Sequence, residues 1–68
     1  MRDINISSDG IRLGQFLKLA DAVEQGSDVK TLLVEEAVRV NGDIEVRRGR
    51  QLVKGDIVTV GEDEFRVG

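Results

Sequence analysis

The sequence predicts an α+β fold, a helical hairpin packed on a small, mostly antiparallel sheet. Three observations predict it. Apolar residues recur at helical spacing twice between Arg12 and Glu36. On both sides of that region they alternate with polar residues, the period of a half-buried strand. Asn41-Gly42 lies between two alternating runs, a strong hairpin signal. At 68 residues the chain is expected to form one domain over 1–68, with a thin core that buries only ~60% of the unfolded surface.

In order, Ile4 and Ile6 alternate with Asp3, Asn5 and Ser7 and predict a short strand that Ser8-Asp9-Gly10 ends. Leu13, Phe16, Leu17 and Ala20 make the stripe of a first helix, from Arg12 to about Val23. Arg12, Gln15 and Lys18 lie off that stripe as a basic-polar flank. Gly26 interrupts, Ser27 is a fair N-cap, and Asp28 suits the first turn of a second helix. Val29, Leu32 and Leu33 are its stripe, which ends near Glu36. A hairpin follows. Matching the apolar faces favours pairing Val38 with Ile44 and Arg39 with Asp43, with Gly42 left-handed in a three-residue loop. Arg47–Gln51 reads as an exposed loop, after which Leu52 and Val53 return to the core. Lys54-Gly55-Asp56 makes a turn before a strand over Ile57–Val60. Around Gly61–Glu64 a last hairpin is expected to pair Val60 with Phe65 and Val58 with Val67.

Composition narrows the function. Histidine and cysteine are absent, which removes the usual general base, the commonest metal ligand and thiolate chemistry. The serines have no basic partner at a recognisable spacing. Glu35 and Glu36 are adjacent and point about 100° apart on a helix, so they form no acid–base pair. The acidic turn Gly61–Glu64 lacks the spacing of a calcium loop. An enzyme is not expected, nor a cofactor or a metal. No apolar run approaches the ~20 residues of a membrane span, so the expected setting is the cytoplasm and no membrane partner is expected.

The net charge of −3 is unlike that of most nucleic-acid binders, yet the charges are unevenly spread. Arg47, Arg48, Arg50 and Lys54 lie on one exposed segment with no acidic residue between Val46 and Lys54. Arginine forks suit phosphate oxygens. Arg12, Lys18 and Lys30 would extend this surface if the helical hairpin packs beside the loop. These seven residues are the candidate contacts for an RNA backbone.

The runs Ile11-Arg12-Leu13-Gly14-Gln15-Phe16-Leu17-Lys18, Gly26-Ser27, Val38-Arg39-Val40-Asn41-Gly42, Arg47-Arg48-Gly49-Arg50-Gln51-Leu52 and Gly55-Asp56-Ile57-Val58 together resemble the RNA-binding domain named after ribosomal protein S-four, the alpha-L motif. The likeness covers about residues 11–60 and is nearest to the small stand-alone bacterial members. It implies a non-catalytic module that presents a basic surface to structured RNA, ribosomal RNA among the candidates; separately, a monomer is expected. Arg12 and Lys30 fall where the family carries basic residues on its two helices, and Arg47, Arg48 and Arg50 match its basic loop. Asn41-Gly42 matches a turn whose glycine serves the backbone. Asp28 departs from the pattern, because many members have arginine there. Both aromatics, Phe16 and Phe65, lie on apolar faces, so recognition of RNA shape and backbone is expected in place of base stacking.

Two other readings fit parts of the chain. A protein-interaction adaptor on the same fold would tie Arg47, Arg48 and Arg50 into ion pairs with Glu45 or Asp56. A ubiquitin-like sulfur carrier would need a free Gly-Gly tail, and the chain has Arg66-Val67-Gly68 there.

Overall fold

The computed structural model describes residues 1–23 and 26–68, the Ser27 side chain excepted. Strand β1 (Arg2–Ile4) and strand β2 (Gly10–Arg12) precede helix α1 (Leu13–Leu19) and helix α2 (Gly26–Val34). Five strands follow: β3 (Val38–Val40), β4 (Asp43–Ile44), β5 (Gln51–Val53), β6 (Ile57–Val60) and β7 (Asp63–Val67). One sheet has the order β1-β7-β6-β3-β4, antiparallel except for the parallel β1–β7 pair. A separate antiparallel ribbon joins β2 to β5. The helical hairpin on a mostly antiparallel sheet is therefore as expected.

The helical stripes face the sheet. Leu13, Phe16, Leu17 and Ala20 of the first helical segment and Val29 and Leu33 of α2 bury against Val38, Val40, Leu52, Val58, Phe65 and Val67. Phe16 meets Phe65 edge-on with ring centroids 6.4 Å apart, which ties α1 to β7. Both helices are shorter than their periodicity suggests, and they stop by the same device. Asp21 (φ 58°) and Glu36 (φ 57°) turn left-handed. The N–H groups of Ala22 and Ala37 then reach back to the carbonyls of Leu17 and Leu32, closing Schellman-type ends. Residues with a Cβ at these two positions hid the stops. The expected Ser27 cap depends on a side chain outside the described residues, and α2 already starts at Gly26.

Strand β2 was hidden in Gly10-Ile11-Arg12, where too few residues alternate to show a period. It places Arg12 opposite Gln51 and Gly10 opposite Val53. A Cβ on Gly10 would lie 2.9 Å from the Leu52 carbonyl oxygen, so this close crossing requires glycine. Val53 faces solvent, contrary to the expected burial, because its neighbour Leu52 takes the inward position.

Both hairpin registers differ from expectation. Arg39 pairs with Ile44 and Val40 with Asp43. The loop is Asn41-Gly42, with φ of 52° and 90°, the conformation of a type I′ turn. This tight turn won over the matching of apolar faces. Its cost is visible: Ile44 is 45% exposed and Glu45 is buried at 5%. Arg39 consequently donates to the Gly42 carbonyl at 3.2 Å and does not face Asp43. In the last hairpin Val58 pairs with Phe65 and Val60 with Asp63. That is a shift of two from the expected register, so the apolar residues keep their faces.

Asn41 also fastens two turns together. Its Oδ1 accepts the Ile57 N–H at 2.9 Å and its Nδ2 donates to Asp56 Oδ1 at 3.1 Å. The other Asp56 oxygen accepts the Val53 N–H at 2.9 Å. The Asn-Gly and Gly-Asp pieces of the sequence thus form one structural lock. Asn41→Ala should lower stability by about 1–2 kcal/mol through lost hydrogen bonds and a strained left-handed Ala, a fall of several degrees in Tm on the scale of ~4–8 °C per kcal/mol for a small domain. Asn41→Gly should lose the bonds without the strain and fall less. Thermal melts of the two variants check this.

Candidate nucleic-acid interface

The interface begins with the α1 N-terminus. Arg12 precedes the helix in extended conformation and provides no side-chain cap. The loop before β5 does this work with its backbone: the Leu13 N–H donates to the Arg50 carbonyl at 2.8 Å and the Gly14 N–H to the Arg48 carbonyl at 2.9 Å. These bonds dock the basic loop on the basic-polar flank of α1. Arg48 lies against Gly14, where an added Cβ would touch it at 3.5–3.7 Å.

A cleft of about 350 Å³ results, lined by Arg12, Gly14, Gln15, Lys18, Arg48 and Gly49. It has three cations and no carboxylate in its lining. Gln15 and Lys18 reach it from successive turns of α1, three residues apart, and Arg12 reaches it from the extended residue just before the helix. Lys30 lies outside this cleft. It lines an adjoining groove with Leu33, Val34, Val46 and Arg48, so Arg48 is shared by both. Lys54 follows the Gly10–Val53 end of the ribbon, away from the Arg12–Gln51 end, and lines neither depression.

Arg47 and Arg50 have a different task. Among the described residues the ion pairs are Arg47–Glu45 at 3.1 Å, Arg50–Glu45 at 3.0 Å and Arg66–Asp3 at 2.7 Å. The two-residue turn points Glu45 inward, beside Val38, whose carbonyl accepts the Glu45 N–H. The buried carboxylate is fully served. Arg47 holds it with Nε and Nη2, Arg50 with Nη1, and the Val46 and Arg47 N–H groups each donate at 3.0 Å. The Arg47 side-chain and backbone hydrogen bonds, followed by the Arg50 bond, hold its pKa down at about 2 against the opposing effect of burial. The sequence offers Glu45 as an ion-pair partner of the loop arginines under the adaptor reading, and the structure pairs it with Arg47 and Arg50 and not with Arg48. Its burial is what the sequence does not show directly. The signal for that burial was the Asn-Gly turn, whose two-residue form turns Glu45 to the inner face.

The fold and this geometry can be set beside known proteins. The family model for the S4 domain matches residues 4–68. A curated Bacillus subtilis (strain 168) protein, "Probable ribosome maturation protein RlbA", is 46% identical over 65 residues, 94% of this chain and 92% of that protein. Nearly the whole length of both chains aligns, as the motifs spread from Ile11 to Val58 require. The chain belongs to the S4 domain family.

Proposed function

We propose that this protein is a non-enzymatic module that binds structured RNA, with ribosomal RNA as its target and ribosome maturation as its setting. The observation that carries the reading is the cleft of Arg12, Lys18 and Arg48, a carboxylate-free lining in a chain of net charge −3. Those three side chains take part in no ion pair among the described residues. Family membership supports RNA as the ligand, and the relative's name supports the ribosomal setting. Lys30 extends the contact surface through the adjoining groove. Arg47 and Arg50 contribute mainly by holding the loop, each with donor positions left over beyond Glu45. Lys54 has no part in this contact surface. The protein acts as a monomer in the cytoplasm, and among the described residues no helix is long and apolar enough to cross a membrane.

The test is a titration of an RNA stem-loop from the ribosome at several salt concentrations. About four phosphate contacts from Arg12, Lys18, Arg48 and Lys30 should make log affinity fall against log salt with a slope of about −3 to −4. Amide NMR shifts should cluster at Arg12–Lys18 and Arg47–Arg50. Salt-insensitive binding, or shifts confined to the opposite sheet face, would remove the RNA reading. The adaptor reading has one observation in its favour, the engagement of Arg47 and Arg50 by Glu45. It does not account for three cations converging on a cleft without a carboxylate.

A further inference from the structure

The groove next to the cationic cleft is chemically different from it. Val34, at the end of α2, is 72% exposed, and Val46 is 57% exposed. Together with Leu33 and the side chains of Lys30 and Arg48 they line a depression of about 310 Å³. Single exposed valines are ordinary. Here two of them line one groove together with two cations, and the groove shares Arg48 with the cleft. Two valines and two side-chain stems fall far short of the ~800 Å² per partner that a stable protein contact buries. They match a single nucleotide better, whose base is apolar on its faces and whose phosphate is anionic.

Resting on the RNA-binding reading above, we propose that this groove takes one unpaired nucleotide of the bound RNA. Its base lies on Val34 and Val46, and its flanking phosphates meet Lys30 and Arg48. The preferred ligand is then a stem with a bulged nucleotide, in which the paired strand lies along Arg12, Lys18 and Arg48. Aliphatic side chains offer neither donors nor acceptors to base edges. The groove therefore selects for an extruded base and against a fully paired stem, with little regard to which base is extruded.

The test compares two RNA stem-loops, one fully paired in its stem and one with a single unpaired uridine. Fluorescence anisotropy at fixed salt should show about tenfold tighter binding of the bulged RNA, equivalent to about 1.4 kcal/mol. Replacing the uridine by adenosine should keep most of that preference. V34T/V46T is nearly isosteric at two exposed positions, so it should fold normally. It should bring the ratio close to one while leaving the paired stem's affinity and salt slope unchanged. A 2-aminopurine placed at the bulge should brighten on binding the wild type and not on binding the variant. Salt-dependent binding without a bulge preference, or a preference that V34T/V46T retains, would overturn the groove assignment and leave RNA binding intact. The retained preference would place the unpaired base elsewhere on the protein. Absence of salt-dependent binding to either RNA would overturn both readings.

Discussion

Arg12→Ala, Lys18→Ala and Arg48→Ala combined should lower RNA affinity about 100-fold near 0.1 M salt and flatten the salt slope by about 2–3, because each lost phosphate contact removes about one unit. The loss should be nearly the same for any stem-loop sequence, since these contacts read the backbone. Stability should change little. The three side chains are exposed, and none holds a buried partner. The loop is clamped to α1 by the carbonyls of residues 48 and 50, which survive the substitutions. Arg48→Ala should be the most damaging single change, because Arg48 borders both depressions. Anisotropy titrations at three salt concentrations, with urea melts as the folding control, check this. A triple variant with wild-type affinity would show that the cleft is not the RNA surface.

Replacing Arg47, Arg48 and Arg50 together would be a poorer experiment, although the sequence presents them as one basic run. Two of the three hold the Glu45 carboxylate, so the substitution would mix a stability loss with a binding loss. Net charge along a segment says nothing about which side chains are already engaged. That is fixed by the parity of a turn several residues earlier.

Elements with long periods were legible in the sequence. The stripes Leu13-Phe16-Leu17-Ala20 and Val29-Leu33 are buried as their spacing indicates, and Val38, Val40, Val58, Phe65 and Val67 face the core as alternation indicates. What escaped was short or conformational. Strand β2 has three residues, too few to show a period. The helix stops depend on left-handed Asp21 and Glu36, residues that do not advertise that conformation as glycine does. In the first hairpin the local preference of Asn-Gly overrides the matching of apolar faces. Of the candidate contacts, Arg12, Lys18 and Arg48 converge as their helical and loop spacing suggested. Lys54 is close to them in sequence only, because the three residues of β5 carry it away from the cleft. Gln15 was visible on the same flank as Arg12 and Lys18, and it lines the cleft.

Glu45→Ala should be among the most destabilising single changes outside the apolar core, at about 2–3 kcal/mol. The carboxylate organises two backbone N–H groups and two guanidinium groups at the base of the basic loop, and hydrogen bonds to a charged group are worth about 1.5–3 kcal/mol each in favourable cases. The larger losses of ~3–5 kcal/mol seen on breaking buried ion pairs do not apply. With 72% of the Arg47 side chain and 33% of that of Arg50 open to solvent, both cations can be rehydrated. Glu45→Gln keeps one acceptor and should lose less. The pH dependence separates charge from shape. The folded pKa of about 2 lies below the ordinary 4.5, so the unfolded chain takes up this proton first as pH falls. The Glu45 contribution is therefore complete above about pH 4.5 and is lost as pH drops toward 2. Urea midpoints of wild type and Glu45→Gln should be well separated at pH 7 and converge across that window. A constant gap would mean that Glu45 acts by shape alone. Convergence would show that the charge of an acidic residue, held by Arg47 and Arg50, fastens the base of the basic loop.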